Sequence, residues 1–235
     1  MVDKLQIAST LRKYFVAGSD HHAFREHEFK VDDEGVVHSE TDVIATRKMP
    51  MGRLPVKFGV ITGDFVVANM GLDTLEGGPH AVTGKYNCSQ NHLTTLAHAP
   101  QHRVQDFNCY QNDLTDLTHC PPVYGELDFG ANKLQTLESL PPCDLAFGFQ
   151  NPIKTCRGVP GHVHELIIYY DPHLPLLGLL ALHAAQLANP DTGEYMESLY
   201  EILNSYMGNG ELNKSDMIKC AASLIKAGYK ENARW

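Results

Sequence analysis

Apolar residues in the middle of the chain recur with a period of about twenty residues. One column of apolar positions repeats at intervals of 19 to 21 residues, and a second column stands three residues after it. The first column contains Met51, Leu72, Leu93, Leu114, Leu134, Ile153 and Leu174. The second contains Leu54, Leu75, Leu96, Leu117, Leu137, Cys156 and Leu177. This period is typical of repeat proteins, whose small units bury their apolar faces only by stacking on one another.

Pairs of alternating apolar residues stand before these columns and predict short strands. Each pair lies seven and five residues before its anchor in the first column. Successive side chains of a strand point to opposite faces, so each pair predicts one inward-facing side. The pairs are Phe65/Val67, Tyr86/Cys88, Phe107/Cys109, Leu127/Phe129, the weaker Ala146/Gly148 and, in the last unit, Ile167/Tyr169. Stacking of the units predicts a parallel sheet with one strand per repeat.

An asparagine and a proline recur at fixed positions in the repeat units. An asparagine two residues before the anchor can satisfy backbone groups where the strand ends, and a proline seven residues after the anchor keeps the return segment extended. The asparagines are Asn91, Asn112, Asn132 and Asn151, and the prolines are Pro79, Pro100, Pro121, Pro141 and Pro160. In the first regular unit Asn69 stands one residue early, which we interpret as an insertion of Gly71.

A strand, an Asn-x-Leu turn and a short return arm together resemble the leucine-rich repeat. The predicted fold is a leucine-rich-repeat solenoid with a parallel β-sheet and one short strand per repeat. Units of about twenty residues are too short for a return helix, so we expect a mostly non-helical convex side, extended or 3₁₀. We place this solenoid at residues 43–173, with distortion of the last two units at Ala146/Gly148 and at Pro172.

The two ends of the chain depart from the repeat and predict caps. Residues 1–42 predict a short amphipathic helix with Leu5, Leu11 and Phe15 inward, then two strands joined by an Asp-Glu-Gly turn. Residues 174–235 predict a C-terminal α-helical module of three helices. The second of these carries a stripe of Tyr195, Leu199, Ile202, Leu203 and Tyr206. The third ends at Gly228 and carries Met217, Ala221, Leu224 and Ile225 on one face.

Charge and composition narrow the functional classes. The chain has 235 residues and a formal net charge of −9, which disfavours nonspecific binding to nucleic acid or to anionic membranes. No apolar run is long enough for a membrane span, and the charged first residues are unlike a signal peptide. The six cysteines lack the dense spacing of a secreted disulfide scaffold, so we expect reduced, structural thiols in a cytoplasmic protein.

The histidines and cysteines raise the question of metal binding and catalysis. His22 and His27 are five residues apart, a spacing that fits ligands on one helix poorly. His98 and His119 occupy equivalent positions in successive repeats, as residues of a repeated surface loop do. Cys120 beside His119 is the best candidate for a nucleophile, but sequence neighbours point apart on an extended chain. We therefore expect no metal, no cofactor and no enzymatic activity.

Strand residues that point away from the core predict a binding surface on the concave face. This surface is acidic and polar in its middle and aromatic toward its C-terminal end. The predicted partner-binding residues are Asp64, Lys85, Asn87, Asp106, Asn108, Tyr110, Glu126, Asp128, Phe147 and Phe149, and Leu145, Leu166, Ile168 and Tyr170 extend the apolar end. Two interpretations of that end stay open. It is a contact surface, or it is covered by the C-terminal helices or by a register shift near Ala146 and Gly148.

The chain resembles leucine-rich-repeat proteins encoded by tailed bacteriophages in the segments GRLPVKFGVITGDF, YNCSQNHLTTL, ILNSYMG and AGYKENARW. This resemblance covers nearly the whole chain and implies expression in the cytoplasm of an infected bacterium. Our main hypothesis is a non-enzymatic protein–protein interaction module. Its partner would be a host protein, for example in a defence or regulatory system, bound through the concave face and the C-terminal helices. The alternatives are a structural, assembly or minor virion protein that self-associates, and a small-ligand or nucleotide-binding protein.

Overall fold

The computed structural model of the protein describes residues 2–18, 24–153, 165–167, 202, 205–206, 214–228 and 230. Its main feature is a parallel-strand β-solenoid of about five turns, accompanied by a few helices. The elements in chain order are α1 (Lys4–Tyr14), β1 (Phe15–Ala17), a 3₁₀ helix (Glu26–Glu28), β2 (Phe29–Val31), β3 (Val36–Ser39), β4 (Val43–Ala45), a 3₁₀ helix (Pro50–Gly52), β5 (Lys57–Ile61), β6 (Phe65–Val66), β7 (Ala81–Val82), β8 (Lys85–Asn87), β9 (Asp106–Asn108), β10 (Glu126–Asp128), β11 (Leu145–Phe147), β12 (Glu165–Ile167) and α2 (Lys214–Lys226).

Eight strands form the main sheet in the order β1-β4-β6-β8-β9-β10-β11-β12. All neighbours from β4 to β12 pair in parallel, and β1 pairs antiparallel with β4 at the N-terminal edge. One strand per repeat in the main sheet is therefore confirmed. The antiparallel strand β1 covers the edge of β4, which would otherwise expose unpaired backbone groups.

The core lies behind the main sheet and is built from the predicted columns. Both leucine columns are buried through the central repeats, and so are the inward strand residues. Five aromatic rings follow one another along the solenoid with centroids 5.0 to 5.5 Å apart: Phe15, Phe58, Phe65, Tyr86 and Phe107. Burying one such side chain contributes roughly 1.5–3 kcal/mol, so this continuous row is a major part of the driving force for stacking.

Met51 does not belong to the core column in which the sequence places it. Its side chain is 80% exposed, and its backbone has a φ of 54° between Pro50 and Gly52. The chain turns at this point, so the Met51 side chain points into solvent while Met49 and Leu54 on either side are buried. The first unit is therefore irregular, and its core is filled by different positions from those of the later units.

The asparagines form a ladder that ties each repeat to the preceding one. The Asn112 side-chain oxygen accepts a hydrogen bond from the Leu93 N–H at 3.0 Å, and its amide group donates to the Cys88 and Cys109 carbonyls at 3.1 Å. Asn91, Asn132 and Asn151 make equivalent bonds. Buried backbone groups at the strand ends are satisfied in this way, as predicted.

The predicted insertion of Gly71 is wrong. The Asn69 N–H donates to the Ser89 carbonyl in the same way that the Gln90 N–H donates to the Tyr110 carbonyl, so Asn69 stands level with Gln90 and not with the ladder. Met70 occupies the ladder position, and its N–H donates to the Asn91 side chain at 2.9 Å. The repeat keeps its length, and only the asparagine side chain is replaced.

A second sheet joins the predicted hairpin of β2 and β3 to strands on the return arms, and this extension was not predicted from the sequence pattern. Its order is β2-β3-β5-β7, and it continues as a single parallel bridge between Val104 and Val123. Within residues 50–153 the 3₁₀ turn at Pro50–Gly52 is the one helical segment. The expectation of a mostly non-helical convex side is therefore confirmed for these residues.

Aspartates at the corner between the two sheets bond to the next repeat. The Asp64 carboxylate accepts from the Lys85 N–H at 2.8 Å, and the Asp106 carboxylate accepts from the Glu126 N–H at 2.9 Å. Gly84 and Gly125 precede the two donors, and a Cβ there would lie only 2.3 and 2.6 Å from the respective carboxylate oxygens. Each corner aspartate therefore requires a glycine one repeat later.

The N-terminal cap follows the prediction with one exception. Helix α1 begins after Asp3, whose side chain accepts from the Gln6 N–H, and Leu11 and Phe15 are buried. Leu5 is 84% exposed and does not contact the core. Strands β2 and β3 form the predicted antiparallel hairpin, with Gly35 at a φ of 82° in its turn.

Of the region predicted to form a C-terminal helical module, the structure describes α2 together with Ile202, Ser205 and Tyr206. Helix α2 matches the third predicted helix, and the Tyr206 hydroxyl lies 2.8 Å from the Ser223 hydroxyl. Ala221 and Leu224 are buried as predicted, but Ile225 is 53% exposed, and Cys220 fills the buried face instead. The first predicted helix lies outside the described residues, and of the second the structure describes only Ile202, Ser205 and Tyr206, which are helical. The side chain of Met217 and the residues Cys156, Pro160, Leu174 and Leu177 also lie outside the described residues.

Candidate binding face

The outward side of the main sheet carries all ten predicted binding residues. We call this surface the open face. Its three columns run across the strands, and the residues of a column stand level in neighbouring strands. The first column is Asp64, Lys85, Asp106, Glu126 and Leu145; the second is Val66, Asn87, Asn108, Asp128 and Phe147; the third is Ser89, Tyr110, Gly130 and Phe149. The predicted residues are half-buried, except for Glu126, which is exposed.

The carboxylates of the first column differ in whether they accept a backbone hydrogen bond from the next repeat. Asp64 and Asp106 each use one oxygen in the corner hydrogen bonds described above. Glu126 is exposed, and its own N–H rather than its carboxylate takes part in the corner. Lys85 is the one cation on the open face among the described residues. The face is therefore acidic overall.

The second column serves a turn at the end of each strand. The Asn87, Asn108 and Asp128 side-chain oxygens accept from the N–H two residues later, at 3.1, 3.0 and 3.0 Å. Burial raises the pKa of the Asp128 carboxyl, and the opposing effects of the Gly130 N–H and of Lys85 do not cancel this rise. The amides of Asn87 and Asn108 and the carboxylate of Asp128 thus accept the same turn hydrogen bond, but the Asp128 carboxylate is partly shielded from water.

Aromatic side chains dominate the C-terminal end of the open face. The Tyr110 and Phe149 ring centroids are 5.6 Å apart, although the two residues are separated by a full repeat. They meet because Gly130 stands between them without a side chain, and a Cβ on Gly130 would lie 3.2 Å from the Phe149 ring. Phe147 lies level with Asp128 on the neighbouring strand.

The register through Ala146 and Gly148 is regular. Leu127 pairs with Ala146, and Ala146 pairs with Leu166, without a bulge. Both small residues face inward, and a Cβ on Gly148 would lie 2.4 Å from the Phe129 ring. A register shift at Ala146 and Gly148 therefore does not bury Phe147 and Phe149.

Leu166 was predicted on the open face but is fully buried. Its pairing with Ala146 places it in the inward column, one residue earlier than the predicted inward Ile167. The last repeat is therefore shorter by one residue than the anchor spacing suggested. The predicted outward residues Ile168 and Tyr170 lie outside the described residues, as does the predicted inward Tyr169.

A polar groove of about 540 Å³ beyond the strand ends was missed by the sequence reasoning. The backbones of Asn69, Gln90 and Gln111 have φ values of 54° to 57°, a conformation that favours glycine or asparagine. The amide at the same position of successive repeats was the signal that could have found it. The groove is lined by Lys48, Asn69, Gln90, Asn91, His92, Gln111, Asn112 and Asp113.

Thiol and imidazole groups do not form a reactive site in the described part of the chain. The five cysteines there are free, and burial raises the pKa of the Cys88 thiol to about 12 and that of Cys120 well above its ordinary value. Neutral, buried thiols are poor nucleophiles. His98 and His119 are exposed at equivalent backbone positions, each with a φ of 69°. Among the described residues, no three His, Cys, Asp or Glu side chains are grouped as a metal ion would need.

Comparison of the chain with protein-family models, curated proteins and solved structures found no match. Neither α1 nor α2 has the length and apolar character that crossing a membrane requires. The open face and the polar groove are therefore the features from which a function can be argued.

Proposed function

We propose that the protein is a non-enzymatic protein–protein interaction module that binds its partner through the open face. The observation that carries this proposal is that acidic and aromatic residues occupy neighbouring positions on one sheet face. Tyr110, Phe147 and Phe149 are half-buried next to Asp128 and the exposed Glu126. Aromatic residues surrounded by polar ones are the composition of protein interfaces, and the core of the solenoid does not need them on this side.

The proposal extends to the type of repeat and to the partner. The Asn ladder, the two buried leucine columns and the short return arm support a leucine-rich-repeat identity. The segments that resemble phage leucine-rich-repeat proteins support a host protein as partner, with inhibition of a defence or regulatory system as its consequence. Cytoplasmic location in the infected cell is part of the same proposal, because buried free thiols suit a reducing compartment.

Site-specific photo-crosslinking tests the use of the open face. The photoreactive residue p-benzoylphenylalanine would replace Tyr110 in one variant and Thr94, an exposed residue of a return arm, in a control. We expect a defined partner from infected cells to crosslink at position 110 and not at position 94. Equal crosslinking at both positions, or none at position 110, would overturn the proposal.

A small-ligand function is the second candidate, because the polar groove presents amides from three successive repeats beside Lys48. The Lys48 ammonium donates to the Asn69 side chain at 2.7 Å, which orients both groups at the rim. A ligand that binds only the folded state raises the melting temperature. A thermal-shift screen with nucleotides and sugars, repeated on Gln90→Ala, would show a shift that the variant loses. If no compound shifts the wild-type protein, this candidate is rejected.

A further inference from the structure

Asp128 lies where acidic, amide and aromatic residues adjoin on the open face. On its own strand it stands between Glu126 and Gly130, and its level neighbours are Asn108 on β9 and Phe147 on β11. Tyr110 is its diagonal neighbour, since Tyr110 stands level with Gly130. Neighbouring strands lie about 4.8 Å apart and each residue rises about 3.3 Å, so diagonal positions on one face are roughly 8 Å apart, within reach of an aromatic side chain. A carboxylate is therefore bordered by aromatic rings on two sides.

The negative charge of Asp128 is not required by the fold. Asn87 and Asn108 make the same hydrogen bond to the N–H two residues later, at the same position of the preceding repeats. In Asp128 that bond uses Oδ1, and Oδ2 has no hydrogen-bond partner among the described residues. A neutral asparagine would complete the turn equally well, so the turn does not explain the charge.

The surroundings of Asp128 supply only a distant counter-charge, which does not offset the effect of burial. Lys85 is two strands away and makes no ion pair with Asp128 within the described part of the chain. Burial raises the pKa of the Asp128 carboxyl, and Glu126 adds to the rise. A partly dehydrated carboxylate beside a second acid is destabilised by its own protein and is relieved when a cation approaches.

The aromatic rings select the kind of cation. Tyr110 is held against Phe149, and Phe147 stands next to the carboxylate. A guanidinium group is planar, is weakly hydrated and stacks on aromatic faces while it pairs with a carboxylate. A lysine ammonium pairs with the carboxylate but does not stack. The acidic character of the open face, with Asp64, Asp106, Glu126 and Asp128 against Lys85, is complementary to a basic partner segment.

We propose that the open face binds an arginine side chain of the partner protein, with its guanidinium paired to Asp128 and stacked on the rings of Tyr110 and Phe147. This inference rests on the proposed function, since it names the chemistry of the partner at the same face. It identifies one contact at the centre of the interface rather than the whole partner.

A model compound tests the contact without the partner. N-acetyl-arginine amide would be titrated into the full ¹⁵N-labelled chain and followed by NMR, with N-acetyl-citrulline amide as the uncharged isostere and N-acetyl-lysine amide as the non-stacking cation. We expect a dissociation constant on the order of millimolar for the arginine compound. Its shifts should be confined to amides around Tyr110, Asp128 and Phe147. The citrulline and lysine compounds should bind at least about tenfold more weakly.

A matched pair of variants completes the experiment. Asp128→Asn keeps the turn hydrogen bond and should weaken arginine binding at least about tenfold. Asp116→Asn makes the same change at a return-arm aspartate, whose carboxylate accepts from the N–H two residues later at 2.8 Å, and should bind like the wild type. Unchanged binding by Asp128→Asn, or equal binding of citrulline, would overturn the inference.

The same variants separate this inference from the proposed function. If the partner crosslinks at position 110 and binds Asp128→Asn as tightly as the wild type, the arginine contact is wrong and the protein-binding function stands. If the arginine compound binds as expected but no partner crosslinks to the open face, the contact chemistry stands and the protein-binding function falls.

Discussion

At the scale of single residues, Tyr86 shows how the core tolerates a polar atom. Its ring is fully buried in the aromatic row between Phe65 and Phe107, and its hydroxyl has no hydrogen-bond partner among the described residues. Burial raises the pKa of this phenol well above its ordinary value, so the hydroxyl stays neutral. Its two neighbours in the column are phenylalanines, which fill the same space without a polar group.

Replacement of Tyr86 by phenylalanine should therefore stabilise the protein. Removal of an unsatisfied buried hydroxyl returns its dehydration penalty, about 1 kcal/mol in the free energy of unfolding. Chemical denaturation of the wild type and Tyr86→Phe would measure the change. Phe107→Tyr is the control in the reverse direction and should lower the free energy of unfolding. A loss of stability in Tyr86→Phe would mean that the hydroxyl has a partner in solution.

Asp128 gives a prediction of pH dependence. Its carboxyl pKa is higher in the folded chain than the ordinary value of 3.8, so folding opposes its ionisation. The protonated Asp128 carboxyl therefore favours the folded state. This contribution to the free energy of unfolding is fully present below the ordinary pKa and is lost as the pH rises through the raised pKa. Asp128→Asn removes the ionisation and should be more stable than the wild type at pH 7, by less than about 1 kcal/mol because the side chain is partly in water.

Urea denaturation of the wild type and Asp128→Asn at a series of pH values would measure this difference. The gain should shrink as the pH falls from 7 toward 4. A gain that stays constant over this range would contradict the assignment to Asp128 ionisation.

At the scale of elements, the corner between the two sheets links residues that are one repeat apart. A glycine follows in the next repeat wherever the corner residue is an aspartate, as in Asp106 and Gly125. The corner residue Lys85 makes no such bond, and the equivalent position one repeat later is Gln105, which has a side chain. The choice between glycine and a larger residue is thus set by a neighbour about twenty residues earlier.

Gly125→Ala should lower the free energy of unfolding by about 1–3 kcal/mol, because the added Cβ would lie 2.6 Å from the Asp106 carboxylate. The double change Asp106→Lys with Gly125→Gln copies the pair Lys85 and Gln105 and should recover part of this loss. Thermal unfolding of Asp106→Lys, Gly125→Gln and their double variant forms a double-mutant cycle. Additive losses would show that the two positions do not interact.

In the repeats the sequence predicted the burial of individual residues, whereas outside them it predicted the elements but not the burial of every residue. Leu93, Leu114 and Asn112 were placed correctly because every unit packs on a copy of itself, so one explanation holds for all units. Met51 and Ile225 have no such copy on one side, and their apolar character did not reveal that the chain turns them outward.

The candidate site was predictable in position but not in chemistry. Alternation along each strand identified the outward residues, and the structure locates all ten on one face. Which hydrogen bonds each carboxylate accepts depends on contacts between repeats. The alternation of apolar and polar residues along a strand does not reveal those contacts. Asp106 is occupied by the corner and Asp128 is not, although both are outward aspartates of neighbouring strands. The extension of the second sheet beyond the predicted hairpin was missed because its short strands on the return arms have no regular apolar alternation.

At the scale of the whole molecule, the solenoid is built from contacts between sequence neighbours. In such a chain the stability of each unit depends mainly on the two units beside it. The N-terminal end is closed by α1 and β1, and Phe15 begins the aromatic row at this end. Damage at this cap should therefore weaken the nearest strands and leave distant ones protected.

Phe15→Ala should lower the free energy of unfolding by about 3–5 kcal/mol through the cavity that it leaves. Hydrogen exchange followed by mass spectrometry should show the largest loss of protection in β1 and β4 and little change in β10 and β11. Phe129→Ala is the control, and its loss should centre on β10 and β11. A uniform loss of protection in Phe15→Ala would show that the solenoid unfolds as one cooperative unit.

The pairing of aspartate and glycine at the corner has an evolutionary consequence. Repeat proteins grow and shrink by duplication and deletion of units, and such events succeed only where the new neighbours are compatible. Gly84, at the start of its unit, leaves space for the Asp64 carboxylate of the preceding unit. Gln105, at the equivalent position of the next unit, has a side chain and leaves no such space. Exchanging their order would push the Gln105 Cβ against the Asp64 carboxylate. The order of the units is therefore under constraint, although their sequences are similar.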